Sequence, residues 1–194
     1  MKTGRTLGTV LVLLVLPACA GDRRAAANGG MPMLVPTPIG VGSRYHPTAR
    51  GPITRDRSQL RCQSELAVRY GVHLELFANG MVVLVPAGIG APRAGEPTRC
   101  SYPLRTRDPT GVISVAGTGR YTLGQLFALW RQPLAQTRLL SFETSPRKPV
   151  RAYLDGVRCR GDLDAIPLRR HAEIVLELGP AIPPHASYRF PPGL

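Results

Sequence analysis

Val72-His-Leu-Glu-Leu-Phe-Ala-Asn-Gly-Met-Val-Val-Leu-Val85 is the stretch on which the fold turns. Val72, Leu74 and Leu76 alternate with His73, Glu75 and Phe77, the period-two pattern of a strand with one face on a core. Asn79-Gly80 follows, then a second apolar run from Met81 to Val85. Such a pair predicts a β-hairpin, because a two-residue turn holds both central residues at positive φ, which Asn and Gly accept best.

Working outward, Pro86 to Arg99 reads as a glycine- and proline-rich loop. A second pair of short strands is expected at Tyr102 to Arg105 and Val112 to Val115, joined by the turn Asp108-Pro109-Thr110-Gly111. The period then changes. Thr122-Leu-Gly-Gln125 is a capping box, followed by Leu123, Leu126, Phe127 and Trp130 at helical spacing, and Pro133 stops the run. This predicts one amphipathic helix of about ten residues, with its Trp and Phe in the core. Val150 to Leu154, Asp155-Gly156 and Val157 to Arg160 predict another hairpin. Ala165 to Leu168 reads as a short turn. Ala172 to Leu178 is the last strand, with Ala172, Ile174, Leu176 and Leu178 inward against Glu173, Val175 and Glu177. The expected fold class is therefore α+β: mainly antiparallel β-hairpins with one amphipathic helix, in a β-grasp-like order. Pro183 to Leu194 reads as a proline-rich tail lying over a sheet edge.

The N-terminal side has a different character. Lys2 and Arg5 precede an apolar core from Leu7 to Leu16, too short for a comfortable membrane span. Leu16-Pro-Ala-Cys19 then resembles a bacterial lipobox, which implies export and lipidation of Cys19; ordinary signal cleavage near Ala20 is the alternative. The expected organisation is a signal peptide with lipobox over 1–20, a disordered tether over 21–59 and a single β-rich domain over 60–194. The tether reading rests on its repeated prolines and glycines and its lack of sustained period. A multiply acylated cysteine would anchor the chain to a membrane durably.

Twenty-five basic residues against twelve acidic ones leave a net charge of +13, and all the basic residues but Lys2 and Lys148 are arginine. The arginines are scattered singly and no basic helix interleaved with aromatics occurs, so a nucleic-acid partner is not expected. An anionic membrane surface suits the charge better. No nucleophile elbow, phosphate-binding glycine loop or Ser/His/Asp order appears, which argues against an enzyme. No cofactor is expected.

With Cys19 assigned to lipid, Cys62, Cys100 and Cys159 remain. An odd count in an exported chain implies one pair and a leftover, an intermolecular pair, or a metal site. Cys62 and Cys100 each precede a strand pair and form the preferred disulfide, with Cys159 left over in a strand.

Phe77-Ala-Asn-Gly80, Val85-Pro-Ala-Gly-Ile-Gly90, Cys100 with Tyr102-Pro-Leu104, Tyr121-Thr-Leu-Gly-Gln-Leu-Phe127 with Trp130, and the strand from Leu168 to Gly179 carry a resemblance. From Cys62 to Phe190 the chain resembles a family of uncharacterised envelope and secreted proteins of bacteria and archaea. That family's usual pattern after the cysteine is Leu-His-Thr-His-Asp, Ser/Thr-Gly, then Ile-His-x-Glu, with alternating histidines on the first strand. The resemblance implies a Cu- or Zn-suited face. Here the corresponding positions are Arg69, Gly71 and His73, then Arg105, Arg107, Asp108, Ser114 and Ala116. Arginine cannot ligate a metal. The expectation is thus a non-catalytic envelope lipoprotein whose Arg69, Arg105 and Arg107 form a patch for an anionic ligand or a protein partner. The alternative is residual Cu/Zn handling by His73 and Asp108, with a distant His171. His46 and His185 read as solvated, and His73 is equally well read as a hydrogen-bonded residue of the sheet.

Overall fold

The computed structural model describes residues 43–52, 57–64, 66–97, 99–182, 188–190 and 192–194. The expected leader with Cys19, residues 21–42 and 53–56 of the expected tether, and His185 lie outside the described residues.

The strands in chain order are β1 (Arg44–Tyr45), β2 (Gln63–Ser64), β3 (Val68–Ala78), β4 (Met81–Val83), β5 (Cys100–Ser101), β6 (Leu104–Thr106) and β7 (Val112–Ala116). The helix α1 (Leu123–Trp130) follows. Then come β8 (Leu134–Ala135), β9 (Arg138–Leu139), β10 (Phe142–Glu143), β11 (Arg151–Leu154), β12 (Val157–Cys159) and β13 (Glu173–Leu178). The protein is β-rich with one α-helix among the described residues, an α+β architecture.

β3 is the axis of the main sheet. Its early half pairs antiparallel with β7 and its last residues with β4, both on one edge. On the other edge β13 runs parallel to it from His73 to Ala78, and β11 and β12 continue the sheet outward. Asn79 and Gly80 turn the chain between β3 and β4 with φ of 52° and 79°, as the Asn-Gly signal predicts. Asp155 and Gly156 do the same between β11 and β12.

Val72, Leu74 and Leu76 face a core shared with Ile113, Val115, Ile174 and Leu176. The helix lays Leu123, Leu126, Phe127 and Trp130 onto this face, each of them buried. Its capping box is complete: the Gln125 amide donates to Thr122 Oγ1, and the Thr122 amide donates to the Gln125 side chain. At the other end Arg131 takes the left-handed conformation and closes the helix two residues before Pro133.

Three expectations change. The tether does not extend to Gln59, because residues 43–52 are docked. β1 pairs parallel with β4, Trp130 Nε1 donates to the Thr48 carbonyl at 2.8 Å, and the Gly51 amide donates to the Trp130 carbonyl. Tyr45 also meets Phe142 edge-on. A two-residue strand has no readable period, so its order comes only from these distant partners. Cys62 and Cys100 are disulfide-bonded as preferred, with Cα atoms 5.3 Å apart. Cys159, however, is no leftover thiol. It is buried in β12 and is not free. Lastly, the described parts of the C-terminal tail lie across a face of the sheet rather than over an edge.

The Cys62–Cys100 bridge closes a 38-residue separation. Replacing both cysteines with serine is expected to lower unfolding free energy by about 4 kcal/mol on the loop-entropy estimate. Urea denaturation of the two proteins, compared by midpoint and slope, measures it.

Candidate functional site

The second face of the sheet holds the polar chemistry. On β3 the residues opposite the core set are Gly71, His73, Glu75 and Phe77. The parallel register sets Glu173 beside His73 and Glu177 beside Phe77. A face that looks half-charged in sequence is nonetheless sealed: His73 and Glu173 are each 1% exposed, and Glu177 is wholly buried.

His73 is the hub of this face. Its Nδ1 lies 2.9 Å from both carboxylate oxygens of Glu173 and 3.9 Å from Glu75 Oε1. Its Nε2 lies 2.9 Å from the Thr110 carbonyl. A carbonyl only accepts, so Nε2 carries a proton and Nδ1 is the nitrogen turned to the carboxylates. The turn reaches His73 because residue 111 is glycine. Gly111 sits at φ +82°, and a Cβ there would meet the Leu74 carbonyl at 2.4 Å and His73 Nε2 at 3.2 Å. The Gly111 carbonyl in turn accepts from the Leu74 amide.

The tail closes the face from above. Tyr188 stacks on His73 with centroids 3.8 Å apart and planes 12° from parallel. Phe190 meets Tyr188 edge-on and stacks on His171, whose Nε2 donates to the Leu194 carbonyl at 2.8 Å. Beneath Phe190 lies Gly71, where a Cβ would stand 2.7 Å from the ring. At the far end the Ile182 amide donates to Glu177, which also receives Arg151 Nε at 3.0 Å. An open cleft of about 480 Å³ remains between the tail and the 108–112 turn. Burial, then the negative charges of Asp108 and Glu173, push the Tyr188 phenol above its ordinary value.

The residues singled out in the sequence divide among different roles. Arg105 is paired with Ser114, and Ser114 with Gly71, so the three form one lateral row on this face. Burial first, and the neighbouring Arg107 charge second, lower the Arg105 pKa. The Arg105 Nε is enclosed and has no hydrogen-bond partner. Arg69 does not join that pair through any described contact. It lies at a bulge of β3, exposed, with its carbonyl accepting from Arg170 and its charge acting on the Tyr70 hydroxyl.

Asp108 is spent on its own turn, accepting from the Thr110 amide and hydroxyl. His171 is engaged by the tail. The proposed companions of His73 in a metal site are therefore replaced by two others, Glu75 and Glu173. Donor atoms of these three residues all lie within 4.8 Å of one another. Glu75 was open to notice as the residue two along the same strand face. Glu173 was not, since only the pairing of β3 with β13 brings it across 100 residues of chain.

Gly71→Val is expected to expel Phe190 and loosen residues 188–194 while leaving the sheet paired. Amide hydrogen exchange should show faster exchange in the tail than in β3 and β13. Unchanged tail protection would contradict the packing described.

No family model, curated protein or solved structure matches this chain.

Proposed function

We propose that this is an exported, lipid-anchored, non-catalytic envelope protein whose Arg105–Arg107 pair binds an anionic group, a phosphate or a carboxylate. The observation that supports it is the Arg105 Nε, an enclosed donor with no acceptor. A buried donor left unmade costs about 1–3 kcal/mol, and an anionic oxygen is the partner that relieves it best. Arg107 lies close enough to lower the Arg105 pKa, so the positive charges reinforce each other toward an anion. The chain's arginine excess would favour an anionic membrane at close range.

Export is supported by the leader pattern and by the disulfide between Cys62 and Cys100, a bond that persists outside reducing compartments. The lipobox reading makes Cys19 the anchored residue. The order of hairpin, helix, further hairpin, short turn and final strand fits a β-grasp-like plan, in which the sheet serves as a rigid platform for exposed loops and edges. A metal-handling role built on His73 with Asp108 or His171 gains no support, since both companions are held elsewhere.

Two measurements test the proposal. Vesicles containing phosphatidylglycerol should bind the full chain more tightly than neutral vesicles do. Arg105→Gln/Arg107→Gln should weaken that binding about thirtyfold, from about 1 kcal/mol per arginine; equal binding by the variant and the parent removes the site. Palmitate labelling in a bacterial host should mark the parent chain and not Cys19→Ala. Cleavage after Cys19 overturns the anchor.

A further inference from the structure

We propose that His73, Glu75 and Glu173 form a site for a divalent first-row transition metal, with Zn²⁺ as its reference ion. The inference is independent of the arginine pair, because it uses different residues.

Three observations carry it. The first is the donor set. One imidazole nitrogen and two carboxylates suit zinc-class ions. Donors about 2.0–2.2 Å from a tetrahedral ion stand roughly 3.3 Å apart. The separations from Nδ1 here, 2.9 Å to Glu173 and 3.9 Å to Glu75, bracket that value. The second is the orientation of the ring. Metal-bound histidines give their other N–H to a carbonyl or carboxylate, which fixes tautomer and tilt. Nε2 already donates to the Thr110 carbonyl, which leaves Nδ1 turned to the Glu173 carboxylate at 2.9 Å, with Glu75 3.9 Å away. Gly111, at φ +82° and with no room for a Cβ, lets the turn approach this closely, so the backbone supports the orientation.

The third is room and cover. A cavity of about 30 Å³ is lined by His73, Glu75 and Thr110 together with apolar residues that include Leu76 and Val83. That is room for one water on the Glu75 side of the imidazole; Glu173 does not line it. Tyr188 roofs the imidazole and keeps the site dry, where charge–charge attraction is strong. On binding, the ion takes the place of any Nδ1 proton, which leaves to solvent.

The site is not the one the sequence suggests. It keeps His73 from that set but replaces Asp108 and His171 by glutamates that the β3–β13 pairing supplies.

The test uses the full chain, stripped of metal and kept oxidised so that Cys62 and Cys100 remain bonded. It is titrated with Co²⁺ as a visible probe and then with Zn²⁺ as competitor. One equivalent of Co²⁺ should give ligand-field absorption that Zn²⁺ abolishes. Glu75→Gln and Glu173→Gln should each weaken binding by about a hundredfold, the upper end seen even for outer groups that only orient a ligand. Asp108→Asn and His171→Gln should bind as the parent does. Should Glu173→Gln fail to fold by circular dichroism, Glu75→Gln decides alone, since Glu75 is not the hydrogen-bonded partner of His73. Absence of Co²⁺ and Zn²⁺ uptake sinks the proposal. So does uptake that survives Glu75→Gln, or that is lost instead in Asp108→Asn.

Discussion

A single buried imidazole ties the two halves of the sheet to the turn beside it. His73 joins Glu173, which lies 100 residues away in sequence, to the Thr110 carbonyl, 37 residues away. In a site this dry each of those bonds is stronger than in water, and each partner is costly to leave alone. The bond to Glu173 is made only in the parallel β3–β13 register observed. The bond to Thr110 requires the tight approach that Gly111 permits. His73 thus links hairpin, turn and last strand, and Tyr188 covers the arrangement.

The sheet carries different physics on its two faces. Toward the helix it is apolar and close-packed, with Trp130, Phe127 and Leu126 filling the space over β3 and β13. Toward the tail it is charged yet equally closed. Burying carboxylates without partners would be prohibitive. Glu173 takes the imidazole, and Glu177 takes Arg151 and the Ile182 amide. Near β6, Arg107 is exposed and Arg105 partly so. The contrast explains why those two residues, and not the central histidine, offer the accessible charge.

Much of the framework is legible in order along the chain. Alternation from Val72 to Phe77, Asn79-Gly80, the Thr122–Gln125 box and Asp155-Gly156 all act through neighbours a few residues apart. Local sterics and local hydrogen bonds decide them, so the residues alone announce β3, its turn, α1 and the β11–β12 turn. The same holds for the apolar stripe of α1 and for the position of the turn from Asp108 to Gly111. The docked segment from 43 to 52 is illegible for the opposite reason. Its two-residue strand is stabilised by Val82, Leu84 and Trp130, which are far away in sequence.

The candidate site divides in the same way. The sequence by itself determined that His73 would stand opposite the core residues of its strand, and that Arg105 and Arg107 would lie near a turn. Tertiary structure alone decided their companions. Asp108 is consumed by its own turn, Arg69 lies exposed at a bulge, and His171 is engaged by the tail, while Glu173 arrives through a parallel pairing. The physical reason is that side-chain partnership on a sheet face depends on which strands are adjacent and in what register. Adjacency between β3 and β13 is settled by the whole packed core, not by any residue near either strand.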